Sequence, residues 1–172
     1  MKNILLVIAL VFSYSSISLA ASEGDTYGGL QYSLVTYDED GFDEVEPTAL
    51  VGRYGQFVND NVSIEGRIGI GLSDDSVDVG PFDIDVEVEH LFGIYGVFHA
   101  NSNSDTSVYG VLGFTQGELE GSAFGISVSE DESGLSYGFG VNIKSFNIEY
   151  MSYIDDDDFD VTAISLGFAT QF

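Results

Sequence analysis

The chain has 172 residues, of which 29 are acidic and only 4 are basic, so its formal net charge is −25 at pH 7. This charge argues against nucleic acid and anionic surfaces as partners. The absence of cysteine excludes disulfides and thiolate ligands, and two histidines are too few for a multi-histidine metal site. With 10 Tyr, 13 Phe and 44% hydrophobic residues, the composition is not that of a disordered chain.

The first segment has the features of an export signal. Lys2 precedes the apolar run Ile4–Phe12, and Ser18-Leu19-Ala20 places small residues at the −3 and −1 positions of a cleavage site. The alternative is a membrane anchor, but the run is shorter than the roughly 18 apolar residues that a transmembrane helix needs. We therefore expect a signal peptide over residues 1–20 and one mature domain over residues 21–172.

The mature chain alternates between apolar residues and small or polar ones, which is the period of a β-strand. Val62–Leu72 is the clearest stretch, with mostly Val, Ile and Leu at even positions and Ser, Glu, Arg and Gly at odd ones. Comparable stretches predict eight antiparallel strands of roughly 8–12 residues, close to the length of a tilted membrane strand. In chain order these stretches are 26–37, 48–57, 62–72, 91–100, 106–116, 135–143, 146–153 and 163–172.

Short turns and long acidic segments alternate between the strands. The turns Val58–Asn61, Asn101–Asp105 and Lys144–Ser145 contain the Asn, Asp and Ser that tight turns favour. The long segments hold 23 of the 29 acidic residues and no Lys or Arg. In an up-and-down barrel these four loops share one end, which we call the acidic end. The four segments are Asp38–Glu46, Ser73–Glu89, Gly117–Glu132 and Asp155–Asp160.

Eight up-and-down strands are also typical of soluble barrels, in which the apolar face points inward rather than toward lipid. The composition of the other face decides between the two arrangements. A water-facing surface is rich in Lys and Glu, whereas this face is mostly Gly, Ser, Ala, Thr and Asn, which suits a narrow filled interior. We therefore predict a transmembrane barrel. Aromatic residues near the strand ends are expected to form its interfacial girdles: Tyr27, Tyr37, Tyr54, Phe57, Tyr153 and Phe172.

Four charges on the small face, Arg53, Glu65, Arg67 and Glu149, are predicted to meet in the lumen. We call them the lumen cluster. Buried charges have to be paired, so the favoured interpretation is a structural plug. The alternative is a constriction that selects ions in a narrow pore.

Several stretches of the sequence are similar to one protein family: Tyr54–Arg67 (YGQFVNDNVSIEGR), Leu135–Val141 (LSYGFGV), Asn147–Tyr150 (NIEY) and Ser165–Phe172 (SLGFATQF). They resemble the small outer-membrane β-barrels of Gram-negative bacteria, the OmpA/OmpX-like porin family. In that family a C-terminal aromatic residue is recognised by the outer-membrane assembly machinery, and Gly167, Phe168 and Phe172 are similar to that signal. Thr170 departs from it, because an apolar residue is usual there. The resemblance implies contact with outer-membrane lipid and lipopolysaccharide.

The acidic segments are weak candidates for binding Ca²⁺ or Mg²⁺, because carboxylates are hard oxygen ligands. A solvated acidic surface is the favoured alternative, and no other cofactor is expected. Asp38-Glu39-Asp40-Gly41 fails the EF-hand pattern, since its glycine is at the fourth position instead of the sixth. The candidate ligands are Asp155, Asp156, Asp157, Asp158, Asp83 and Asp85.

Two patterns indicate ordered structure within the acidic segments. Acidic and apolar residues alternate over Asp83–Glu89, and we expect this register to continue into Phe92, so that the fourth strand projects beyond the membrane. Ile126 and Val128 differ in parity from Leu135, which predicts a bulge or turn before the sixth strand. Projecting strands can pair with a partner.

The sequence gives little support for a catalytic function. His90 and His99 are the chain's two histidines, and no G-x-S-x-G motif is present. We expect a membrane-embedded scaffold whose acidic loops serve a surface partner or envelope integrity. A small passive pore is the alternative, and a lipid A-modifying enzyme is a less favoured one.

Overall fold

The computed structural model describes residues 21–39, 46–73, 75–79, 82–100, 104–123, 126–155 and 159–172. The predicted signal peptide, residues 1–20, lies outside them. No helix among the described residues is long and apolar enough to cross a bilayer. The described strands are β1 (Thr26–Glu39), β2 (Thr48–Asn59), β3 (Val62–Ser73), β4 (Asp75–Val79), β5 (Phe82–Ala100), β6 (Thr106–Ala123), β7 (Ile126–Ile143), β8 (Phe146–Asp155) and β9 (Phe159–Gln171).

Eight of these strands form a closed antiparallel ring. Its order is β3-β2-β1-β9-β8-β7-β6-β5, and pairing between β3 and β5 closes it. The short strand β4 pairs with β5 as a hairpin beside the ring. The predicted eight-stranded up-and-down barrel is therefore confirmed, and closure leaves no long unpaired edge in the lipid.

Side chains along each ring strand alternate between the outer surface and the lumen. In β3, Ile64 and Ile68 are exposed on the outer surface, whereas Ser63, Glu65 and Arg67 are buried inside. The large apolar face thus points outward and the small face lines the interior, as predicted for a membrane barrel.

The predicted aromatic girdles are wrong at four positions. Tyr27, Phe57 and Tyr153 are buried in the barrel interior, and Tyr37 packs against the buried interior cluster. By contrast, Tyr54 and Phe172 are exposed on the outer surface, with ring centroids 6.3 Å apart. For Tyr27 the reason is geometric, because the inward-facing Gly55 on the adjacent strand leaves space that its ring fills.

Three neighbouring strands are much longer than a bilayer requires. β5 has 19 residues and β6 and β7 have 18 each, whereas a membrane strand needs about 9–11. The pairing of β6 with β7 runs from Thr106 opposite Ile143 to Ala123 opposite Ile126 without a register shift. Much of the second and third acidic segments is therefore strand rather than loop, and neither the bulge nor the turn predicted before Leu135 occurs in this ladder.

The register shift lies instead in the pairing of β5 with β6, between Val88 and His90. It reverses the faces of β5, so Val88 is buried at 5% exposure while Phe92 is 51% exposed on the outer surface. The expected continuation of the Asp83–Glu89 register into Phe92 is therefore wrong, although β5 does extend to Phe82. The alternation of residues along one strand does not show where an extra residue is inserted, because a bulge is defined by the pairing of two strands.

Candidate functional site in the lumen and at the acidic end

The structure brings the four charges of the lumen cluster together in the middle of the barrel. Arg67 donates hydrogen bonds to both carboxylate oxygens of Glu149, at 2.5 and 2.9 Å, and its Nε donates to Glu65 at 2.7 Å. Arg53 Nε lies 3.4 Å from Glu65, and Arg53 Nη1 lies 3.6 Å from Glu149. Two guanidinium groups and two carboxylates therefore form a neutral cluster that spans β2, β3 and β8.

Polar and aromatic side chains complete this cluster. The hydroxyl of Tyr27 donates to Glu65 at 2.6 Å, and the Gln31 amide donates to Glu149 at 3.2 Å. The Arg67 guanidinium lies 4.8 Å from the ring centroid of Tyr95, a distance suited to a cation–π interaction. Such partners offset part of the cost of burying charge, because each satisfies a group that has lost its water.

Further layers fill the lumen on either side of the charges. Toward the turn end, Ser63 Oγ and His99 Nε2 share a hydrogen bond at 2.9 Å, and the His99 ring packs against Phe57. His99 therefore lies inside the barrel, a position that the sequence pattern did not predict. Toward the acidic end, Tyr95 and Thr115 share a hydrogen bond at 2.6 Å.

An apolar cavity of about 30 Å³ lies at the mouth of the lumen, at the acidic end. Val35, Val88, Leu91, Ile154 and Val161 are among its lining residues. The described interior therefore runs from an aromatic layer, through paired charges and hydroxyl groups, to an apolar mouth. Such a filled interior is typical of narrow eight-stranded barrels.

The outer surface changes abruptly from apolar to polar toward the acidic end. Along β6, Phe114 is followed on the same face by Gln116 and Glu118, and opposite them in β7, Leu135 is followed by Ser133. Apolar residues dominate the face below this level, and acidic residues occupy it above. The change marks the edge of the lipid-facing belt, so the remainder of β5, β6 and β7 projects beyond the hydrocarbon layer.

The predicted weak metal ligands are described in part. Asp155 is exposed at the end of β8, where its Oδ2 accepts a hydrogen bond from the Tyr137 hydroxyl at 3.0 Å. The side chains of Asp83 and Asp85 lie outside the described part of the structure, as do Asp156, Asp157 and Asp158. A different group, which the sequence pattern did not indicate, lies at the level where the apolar belt ends. There His90 and Glu118 approach each other.

The C-terminal residues predicted as an assembly signal close the barrel against β1. The backbone N–H of Phe172 donates to the carbonyl of Thr26 at 2.9 Å, while the ring lies on the exposed outer surface. Phe168 pairs with Leu30 in β1 and with Phe146 in β8. Gly167 faces inward, where a Cβ would collide with the side chains of Gln31 and Asn147.

The sequence matches the outer membrane protein beta-barrel domain over residues 4–172. This chain belongs to that family. It is therefore an integral β-barrel protein of the outer membrane, and the exposed apolar belt is its lipid-contacting surface. Comparison with curated protein sequences gives no significant match.

Solved structures of similar proteins agree with this assignment. Ail, the attachment invasion locus protein of Yersinia pestis, shares 25% identity with a TM-score of 0.60, over 87% of this chain and 99% of Ail. Neisserial surface protein A has 11% identity and a TM-score of 0.64, over 87% of this chain and all of that protein. OprG from Pseudomonas aeruginosa has 14% identity and a TM-score of 0.51, over 87% and 97% of the two chains. The last two likenesses concern the fold alone.

Proposed function

We propose that this barrel is a scaffold for surface interactions. It anchors an acidic projection, formed by the parts of β5, β6 and β7 beyond the lipid-facing belt, on the outside of the outer membrane. The continuous β6–β7 ladder is the observation that carries this proposal. Nine residue pairs, from Thr115–Gly134 to Ala123–Ile126, lie beyond the last pair of exposed apolar residues, Phe114 and Leu135. A regular ladder of this length holds its residues in a defined arrangement, which recognition of a partner requires.

The charge of the projection favours a cationic partner. Glu87, Glu118, Glu120 and Asp131 lie on the described part of the extended strands, and neither Lys nor Arg occurs in the acidic segments. Ail has been solved with the heparin analogue sucrose octasulfate, a strongly anionic ligand. Like charges repel, so a ligand of that class is not expected to bind the acidic end of this chain.

The passive pore is the second candidate, and the filled lumen argues against it. Glu65, Arg67 and Glu149 are almost wholly buried, and Arg67 forms ion pairs with both carboxylates across the interior. An ion that crosses this layer would have to separate paired buried charges, which costs several kcal/mol. Single-channel recording of the refolded protein in planar bilayers is expected to show no steady conductance.

Attachment assays test the scaffold proposal. Bacteria that express the protein are compared with bacteria that express a variant lacking residues 119–130, which shortens the β6–β7 hairpin and leaves the membrane part intact. Attachment to a surface coated with a cationic peptide is expected to fall in the variant, and attachment to heparin is expected to be absent for both. The change of gel mobility on boiling verifies that both barrels are folded. Equal attachment would contradict the proposal.

The same strains test the remaining alternatives. If the protein mainly supports envelope integrity, loss of the barrel will raise detergent sensitivity, while the shortened variant will protect as well as the wild type. We propose that the protein is not an enzyme, so expression is expected to leave the mass of lipid A unchanged. A change in that mass would support the lipid A-modifying alternative.

A further inference from the structure

Glu89, His90 and Glu118 bring one imidazole and two carboxylates together at the acidic end. Their potential ligand atoms all lie within 4.8 Å of one another. His90 stands directly opposite Glu118 in the β5–β6 pairing, with its Nδ1 3.3 Å from Oε2 of Glu118. Glu89 is exposed and the other two side chains are half-buried, so the group is open to solvent.

The register shift in β5 explains how two consecutive residues can share a site. In a regular strand, successive side chains point to opposite faces, so Glu89 and His90 could not converge. The shift between Val88 and His90 inserts one residue into β5 at this point. Val88 and Leu91 line the cavity at the mouth of the lumen, as do His90 and Glu118, and the potential ligand atoms of Glu89 and His90 converge with that of Glu118. Bulges often re-aim side chains in this way.

The arrangement lacks a cation of the protein's own. Arg53 and Arg67 are held in the lumen, and Lys144 lies in the turn at the opposite end. Among the described residues, no lysine or arginine is therefore available to neutralise these carboxylates.

We propose that Glu89, His90 and Glu118 bind a divalent transition-metal ion, with Zn²⁺ as the test ion. Imidazole favours Zn²⁺ and its neighbours in the periodic table, whereas Ca²⁺ and Mg²⁺ prefer sites built entirely from oxygen. Three protein ligands leave one position of a tetrahedral Zn²⁺ site for water. The ion would join β5 to β6 where both strands leave the lipid-facing belt, and would thereby stiffen the base of the projection.

NMR spectroscopy of the imidazole groups tests this site with little ambiguity, because the chain has two histidines. The refolded protein in phosphate-free detergent micelles is titrated with ZnCl₂. The His90 signals are expected to shift and to reach saturation. The His99 signals serve as an internal control and should stay unchanged, since that ring is buried and bonded to Ser63. Ca²⁺ at the same concentration should move neither.

Matched variants identify the ligands. His90→Gln and Glu118→Gln are each expected to weaken Zn²⁺ binding by at least about ten-fold. Asp160→Asn removes an exposed carboxylate from the same end of the barrel, on β9, and should leave the affinity unchanged. Gel mobility before and after boiling establishes that each variant is folded. The proposal is overturned if Zn²⁺ leaves the His90 signals in place, if Ca²⁺ binds as tightly, or if Glu118→Gln binds like the wild type.

Discussion

Tyr109 in β6 lies directly opposite Gly140 in β7, and its ring occupies the space that a Cβ on Gly140 would need. The same relationship joins two further cross-strand pairs in the lumen, Tyr27 with Gly55 and Tyr95 with Gly113. Each of these three tyrosines thus packs over a neighbour that has no side chain. The glycines at these positions therefore provide the space that the tyrosine rings fill, and together they pack the lumen densely.

Substitution of Gly140 tests this arrangement. Gly140→Val is expected to lower the free energy of unfolding by about 1–3 kcal/mol, because overpacking forces the Tyr109 ring out of its place. Gly66→Val is the control, since a Cβ there meets no atom within 4 Å. Urea-induced unfolding in lipid vesicles measures both. Equal stability of the two variants would contradict the tyrosine–glycine packing.

Removal of one charge from the lumen cluster should be more damaging than removal of a pair. Glu149→Gln leaves the buried Arg67 without its bidentate partner and is expected to cost about 3–5 kcal/mol. The double variant Arg67→Met/Glu149→Leu keeps the interior neutral and should cost less. Glu23→Gln at an exposed position serves as the control. The same unfolding assay would refute the paired-charge description if the double variant proved the least stable.

The lipid-facing assignment predicts a contrast along one face of β7. Phe139→Arg places a charge in the apolar belt and is expected to cost about 2–4 kcal/mol near the bilayer midplane. Ser133→Arg lies on the same face of the same strand, but beyond the belt, and should be nearly neutral. Ile68→Arg is expected to behave like Phe139→Arg. Refolding yields and unfolding curves in bilayers measure all three, and equal tolerance would mean that the inside–outside assignment is wrong.

Phe172→Ala is expected to impair assembly in cells more than stability in vitro. Its backbone hydrogen bond to Thr26 does not depend on the ring, and the ring is exposed on the outer surface. Tyr54→Ala removes the neighbouring ring without changing the C-terminus, so it is a matched control. Protease accessibility on whole cells reports folded protein at the surface. Wild-type levels of the Phe172 variant would remove the basis for an assembly signal at this residue.

The amino-acid sequence by itself determined which residues of each strand share a face. Alternation along Val62–Leu72 separated the outward apolar side chains from Glu65 and Arg67, because the pleat of a strand is a local property. The same alternation in eight stretches predicted the barrel and the four lumen charges. Alternation of this kind does not depend on which strands are neighbours.

Only the tertiary structure decided the features that depend on two strands at once. The bulge in β5 arises from its pairing with β6, and it brings Glu89 and His90 to the same side as Glu118. Tyr27 is accommodated inside the barrel because Gly55 on the adjacent strand leaves space for its ring. Register and packing space are properties of neighbouring segments, and the alternation within a single strand contains no information about either.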